Sequence, residues 1–420
     1  MLQRPVRLRR AAPHHRHGQL PLVSLRAAAL RLHRWTGLVL AGFLVVVAVT
    51  GIPLAWYDTL DAASAPALHR SAAPAPGAVP LDALVLRERV ARHSPGAAMS
   101  ATPLSAQPGR TVAFPIWLRE DGDAVLHEVF IDPYTGAVRG QRRWGDPAEG
   151  LRNLMPFLHR LHTALWLEGV GELLLGVVAL LWTLDGFVGA WLTLPPRPAR
   201  RASAAPLAAR WGPAWCVRWR GGAHKRNFDL HRAGGLWLWG ALTLMAWSSV
   251  ALNLPAVYDP LMRAGLAYQD DPRRGAAREQ GAPMTPEAAR DTGRRLMADL
   301  AAREGFAVER EHWLALDPRR NLYRYSVRSS RDLRERSGAT SVVFGAVAGR
   351  IVGSHLPTGR AAGDTVKHWL TSLHMAAMWG LPLRLAVALV GAVTLVLSVT
   401  GVWLWWARRG ARRAGRRGRA

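Results

Sequence analysis

The sequence predicts a membrane protein: an all-α four-helix bundle made of two repeats of helix, outside domain, helix, in which both outside domains are α+β. Three observations carry that reading. Four runs, 36–57, 169–194, 234–255 and 381–406, are apolar over lengths that match a hydrocarbon layer about 30 Å thick, which takes about 20 helical residues. The charge of +26 is concentrated between those runs. Finally, the third run opens as the first does, with LHRAGGL at 230–236 echoing LHRWTGL at 32–38.

The charge sets the orientation. Residues 1–34 hold eight Arg and no acid, residues 197–232 hold eight Arg and Lys225 against Asp229 alone, and the tail from Arg408 adds seven Arg. With four spans, all three segments lie on one side, the positive-inside arrangement with both termini cytoplasmic. The expected location is a bacterial inner membrane with two periplasmic domains. Topology thus accounts for the charge, and nucleic acid is not expected as a partner. The N-terminal run is longer than a signal-peptide core, and its opening recurs deep in the chain, so a membrane helix is expected there rather than a cleaved leader. Cys216 has no partner, so the outside domains fold without disulfides.

The chain then divides into a basic cytoplasmic tail (1–29), a first membrane helix (30–57), an outside domain (58–158), a helix start with the second membrane helix (159–194) and a basic loop (195–229). A third membrane helix (230–255), a second outside domain (256–370), a helix start with the fourth membrane helix (371–407) and a basic tail (408–420) complete it. In the first outside domain, 80–93 has helical spacing, and 125–143 reads as strand, DPYTG turn and strand. The second shows a helix over 286–305, strands near 313–318 and 322–330, and a hairpin over 341–353 whose turn lacks the DPYTG sequence.

Duplication also places histidines. LHTALW at 161–166 and LHMAAMW at 373–379 precede the second and fourth runs. His33 and His231 therefore sit near the cytoplasmic face, and His162 and His374 near the periplasmic face, one pair per surface. Two neutral imidazoles on opposite sides of a flat macrocycle are a way to hold haem iron, so two b-type haems are expected, bound by His33 with His231 and by His162 with His374. Their irons would lie roughly 20 Å or less apart across the core. No CxxCH is present for covalent attachment. His159, three residues before His162, is a possible secondary site residue as alternative ligand, supporting group or substrate contact. Asp185 is another, since a carboxyl within a span is costly unless it bonds an imidazole or propionate, relays a proton or packs helices. His14, His15 and His17 belong to the basic tail, while His69, His93, His127, His312, His355 and His368 are expected on domain surfaces. Trp211, Trp215 and Trp219, spaced every four residues, suit a membrane-surface helix interrupted by Pro213.

These motifs, with LHRWTGLVLAGFLVVVAVTG, IDPYTGAVRG, FDLHRAGGLW and LHMAAMWGLPLRLAVALVGAVTLVLSVTGVWLWW, resemble the PepSY-associated transmembrane family over most of residues 30–407. The resemblance implies PepSY-like periplasmic domains and haem ligation at His33, His231, His162 and His374. It also suggests an inner-membrane ferric-siderophore reductase that releases Fe(II) from a periplasmic ferric chelate. The electron donor would be a quinol or a cytoplasmic reductase, because no GxGxxG fingerprint follows a strand. Arg152, Arg160 and Lys367 could attract an anionic chelate. Two other readings stay open: a haem-free membrane protein whose PepSY-like domains bind or inhibit a periplasmic partner, and a di-haem carrier serving another periplasmic oxidoreductase.

Overall fold

The computed structural model describes residues 20–71, 75, 77–196, 205–274 and 276–417; His14, His15 and His17 lie outside them. The first half begins with α1 (Leu20–Leu54), which has no charged residue from Trp35 onward, followed by short α2 (Tyr57–Ser64) and α3 (Pro66–His69). Next come α4 (Ala83–His93), β1 (Ala101–Pro103), β2 (Val112–Glu120), β3 (Asp123–Ile131) and β4 (Val138–Arg143). A 3-10 segment, Pro147–Asn153, leads into α5 (Leu154–Ala164) and α6 (Glu168–Thr193). The second half holds α7 (Leu207–Trp211), α8 (Ala223–Trp237), α9 (Trp239–Asn253), α10 (Pro255–Arg263) and α11 (Pro286–Glu304). It ends with β5 (Val308–Asp317), β6 (Leu322–Ser329), β7 (Thr340–Gly345), β8 (Ile351–His355), α12 (Ala362–His374) and α13 (Gly380–Arg417).

Helices α1, α6 and α13 are each long and apolar enough to cross a membrane, whereas α8 and α9 reach that length only together and meet at 70°. The unbroken third span expected over 230–255 is therefore bent at Leu238. Indole hydrogen bonds on either side of the bend pull in different directions. Trp237 Nε1 donates to Trp215 O (3.0 Å), while Trp239 Nε1 donates to Gly186 O on α6 (3.1 Å). Trp215 belongs to a 3-10 turn, Gly212–Trp215, where the helix started by α7 gives way at Pro213. The tryptophan triplet thus forms no single surface helix: Trp211, Trp215 and Trp237 stack edge to face at 5.1 and 5.3 Å.

The helix starts at 159 and 371 are separate helices. Between α5 and α6, Leu165, Trp166 and Glu168 have positive φ; between α12 and α13, Ala376, Trp379 and Gly380 do. Gly171 is needed at the first break, because a Cβ there would meet Ala164 O at 1.6 Å. Packing joins α1 to α13, α6 to α9 and α8 to α13.

At one end of the helices sit two antiparallel sheets, β2-β3-β4 and β1-β5-β6-β7-β8. Val90 of α4 packs on Phe114, Ile116, Val129 and Ile131, while Ala289, Met297 and Leu300 of α11 pack on Tyr325, Val327, Val342 and Phe344. The strands and helices expected over 80–93, 125–143, 286–305 and 341–353 are present. The two outside segments are not independent, however. Strand β1 from the first half is the edge strand of the second half's sheet, pairing Ala101, Thr102 and Pro103 with Ala315, Leu314 and Trp313. Asp82, the N-cap of α4, also pairs with Arg290 of α11 (2.7 Å), tying the halves together.

The missing DPYTG motif has a structural replacement. In the first hairpin, Asp132 Oδ1 accepts from the backbone N–H groups of Tyr134 (2.9 Å) and Thr135 (3.1 Å). In the second, Glu279 Oε2 accepts from Val347 (2.7 Å) and Ala348 (3.2 Å), reaching in from a distant segment. Gly345 makes room for it, since a Cβ there would lie 2.0 Å from Glu279 Oε1.

Candidate functional site

The four repeated histidines form two facing pairs. His33 and His231 have ring centroids 6.2 Å apart with planes at 63°, and His162 and His374 are 6.3 Å apart at 60°. The first pair joins α1 to α8; the second joins α5 to α12 at the sheet end. From His33 to Thr50, which touches His162, α1 rises about 25 Å at about 1.5 Å per residue.

Three of these rings are hydrogen-bonded through Nδ1, and the fourth has a carboxylate beside it. Thr50 Oγ1 donates its proton to Val46 O (2.8 Å), so its contact with His162 Nδ1 (3.0 Å) requires the imidazole to donate. Ser248 repeats the arrangement, donating to Met245 O (3.0 Å) and accepting from His374 Nδ1 (2.7 Å). His231 Nδ1 meets Leu397 O at 3.0 Å, with Thr400 Oγ1 at 3.3 Å. His33 Nδ1 lies 3.0 Å from Asp185 Oδ2, an ion-pair distance without hydrogen-bond alignment. A proton on Nδ1 leaves Nε2 unprotonated and free to accept in His162, His374 and His231.

Sequence reasoning missed Thr50 and Ser248, although the 198-residue offset between His33 and His231 also relates these two hydroxyls. Close backbone approach completes the setting: a Cβ on Gly51 would meet His162 Cε1 at 2.9 Å, and one on Gly189 would meet His33 Cε1 at 3.1 Å. Around His33 and His231 lies a cavity of about 500 Å3, lined by Gly37, Gly189, Gly235 and Gly401 and by Arg26, Arg34, Arg232 and Arg408. Asp185 is buried beside His33. His159 does not face His374; its ring lies edge-on to Trp144 (5.5 Å) and Tyr57 (6.2 Å).

Beside Tyr57 is a charge cluster that the sequence did not reveal. Arg142, 2% exposed, donates to Asp61 through two 2.8 Å bonds and to Glu128 at 2.8 Å; His69 lies 3.0 Å from Asp61. Burial pushes the Glu128 carboxyl up despite Arg142. Burial also opposes ionisation of Asp61, but Arg142 and His69 outweigh it and hold that carboxyl below its ordinary range. His69 therefore belongs to a buried network, and His127 and His368 are also buried, His127 against Glu120 (2.6 Å) and His368 accepting from Leu333 N (3.2 Å). The surface positions expected for these three are corrected accordingly: each ring fills a polar niche whose partner comes from another element.

Burial, then nearby Arg334, lowers the His368 pKa to about 4; burial, then Arg310, lowers His312 to about 4. The unfolded chain binds protons at these rings near pH 6.5, before the folded chain does. Their stabilisation is therefore complete above about pH 6.5 and lost as the pH falls toward 4. The thermal midpoint is expected to drop over that window, and to drop less in His368→Gln; equal slopes in both proteins would refute the assignment.

Arg152, Arg160 and Lys367 are neutralised by Glu149, Glu168 and Asp259. No curated protein matches the chain. The family model described as PepSY-associated TM region matches residues 30–408, which takes in both histidine pairs, both sheets and all the membrane-length helices: the chain is a membrane protein belonging to that family.

Proposed function

We propose that the chain is a di-haem electron-transfer protein of the bacterial inner membrane, passing electrons outward to reduce a periplasmic ferric chelate, such as an Fe(III)-siderophore, and release Fe(II). The observation that carries this reading is the geometry of the two histidine pairs. Metal–nitrogen bonds of about 2.0 Å, with each ring centre about 1.1 Å beyond its nitrogen, would put the centres of two imidazoles that share one metal about 6.2 Å apart. The centroid separations of 6.2 and 6.3 Å match that span. His33 with His231, and His162 with His374, would hold the two groups. Haem, when bound there, would supply reversible one-electron chemistry.

The chain's own residues do the rest. Leu397, Thr400, Thr50 and Ser248 orient three of the rings and fix their tautomers, and Asp185 lies beside His33. The glycines leave flat space beside the imidazoles, and the lining of the His33–His231 cavity carries the guanidinium groups of Arg26, Arg34, Arg232 and Arg408, of which Arg232 also answers Asp229 (2.9 Å). Fe(III) held by hard oxygen donors loses affinity for them on gaining one electron, so delivery of that electron suffices for release.

The test is a pyridine haemochrome count with a reduced-minus-oxidised spectrum on protein purified in detergent. Two b haems are expected in the intact chain and one each in His33→Ala and His374→Ala. Haem-free protein, made with ample haem supply, would leave the partner-binding reading in its place.

A further inference from the structure

A second pocket, of about 160 Å3, opens at the sheet end, lined by Leu54, Asp58, Arg334, Arg336, Met375 and Arg384 among others. It adjoins the His162–His374 pair: Met375 follows His374 directly, and Leu54 is one turn of α1 beyond Thr50. Its charges are unequally answered. Arg336 pairs with Asp58, and Glu335 accepts from Gly380 N (3.0 Å). Arg334 donates to the hydroxyls of Thr371 (2.9 Å) and Ser372 (3.3 Å) and has no ion pair among the described residues. Arg384 makes no hydrogen bond or ion pair there, and its Nε is buried.

A buried guanidinium N–H without an acceptor is costly, and a carboxylate offers the bidentate geometry that answers it. Arg152, Arg160 and Lys367 differ, since each already has a carboxylate. We propose that this pocket binds a carboxylate arm of an anionic ferric chelate, which makes polycarboxylate chelates the substrate class of the electron-transfer site. The inference rests on the electron-transfer reading for its biological sense, but the binding itself needs no electron.

Gallium(III) citrate separates the two, because Ga(III) resembles Fe(III) in charge and size and is not reduced under these conditions. Its binding would be measured by titration calorimetry on the full chain in phosphatidylcholine nanodiscs. Arg384→Gln is expected to weaken binding by about tenfold or more, Arg384→Lys by less, and Arg152→Gln not at all. A cationic gallium trihydroxamate should be indifferent to Arg384→Gln. Equal citrate affinity in wild type and Arg384→Gln overturns the proposal. So does loss of one haem in Arg384→Gln, which would assign the arginine to a propionate, and so does abolition of binding in phosphatidylglycerol nanodiscs, which would assign it to a lipid phosphate. Failure of a di-haem protein to bind gallium citrate sinks this inference alone; a haem-free wild type sinks the electron-transfer reading whether or not citrate binds.

Discussion

Arg142→Met is expected to lower the unfolding free energy by about 3–5 kcal/mol, the cost of leaving a buried ionic cluster without its cation. The side chain is 1% exposed and simultaneously answers Asp61, Glu128 and the Arg152 carbonyl. Removing it leaves two carboxyls facing each other in a space closed by Phe130, whose ring lies 5.0 Å from the guanidinium. Glu128, already pushed up by burial, would take a proton and relieve part of the strain, so the loss should be largest at alkaline pH. A triple change, Arg142→Met with Asp61→Asn and Glu128→Gln, should recover much of it, because no unpaired charge then remains. Thermal unfolding of the full protein in detergent checks both; an unaltered midpoint in the single variant would mean that the cluster is solvated.

On the proposed di-haem reading, Thr50→Val with Ser248→Ala should weaken haem retention at the His162–His374 pair by about 10–100-fold, the usual effect of removing a group that orients a metal-bound histidine. Both hydroxyls are committed to a carbonyl of their own helix, so the imidazole Nδ1–H has one acceptor in a fixed direction. Without it the ring can rotate and exchange tautomers. Transfer of haem to apomyoglobin would report retention, and the reduced spectrum would show which site is emptied. The His33–His231 pair, anchored by Asp185 and Leu397, serves as an internal control. Loss from both sites at equal rates would indicate a general packing defect.

The histidine pairs were legible because matching motifs open the apolar runs, LHRWTGL with LHRAGGL and LHTALW with LHMAAMW, and the helices and hairpins were legible where periodicity and turn residues agree. Other elements lacked a local signal. Strand β2 contains Pro115, which argues against a central strand; it is tolerated because β2 lies at the edge of its sheet. The three residues of β1 are too few to show alternation. The bend at Leu238 depends on indole contacts from Trp237 and Trp239 to other segments. Arg142 reads as a solvated strand residue until Asp61 is brought to it across 81 positions. Glu279 likewise substitutes for Asp132 without any motif of its own, because the carboxylate and the turn it caps are remote in sequence.

The pairing of β1 with β5 also sets a timetable. About 200 residues separate the two strands, so at a synthesis rate of about 5–20 residues per second the first strand waits about 10–40 s for its partner. During that interval the first hairpin and α4 can already be packed, but the edge that β1 will complete does not yet exist. A strand of three residues ending in proline is a poor template for other chains, which keeps that waiting period safe from misassociation.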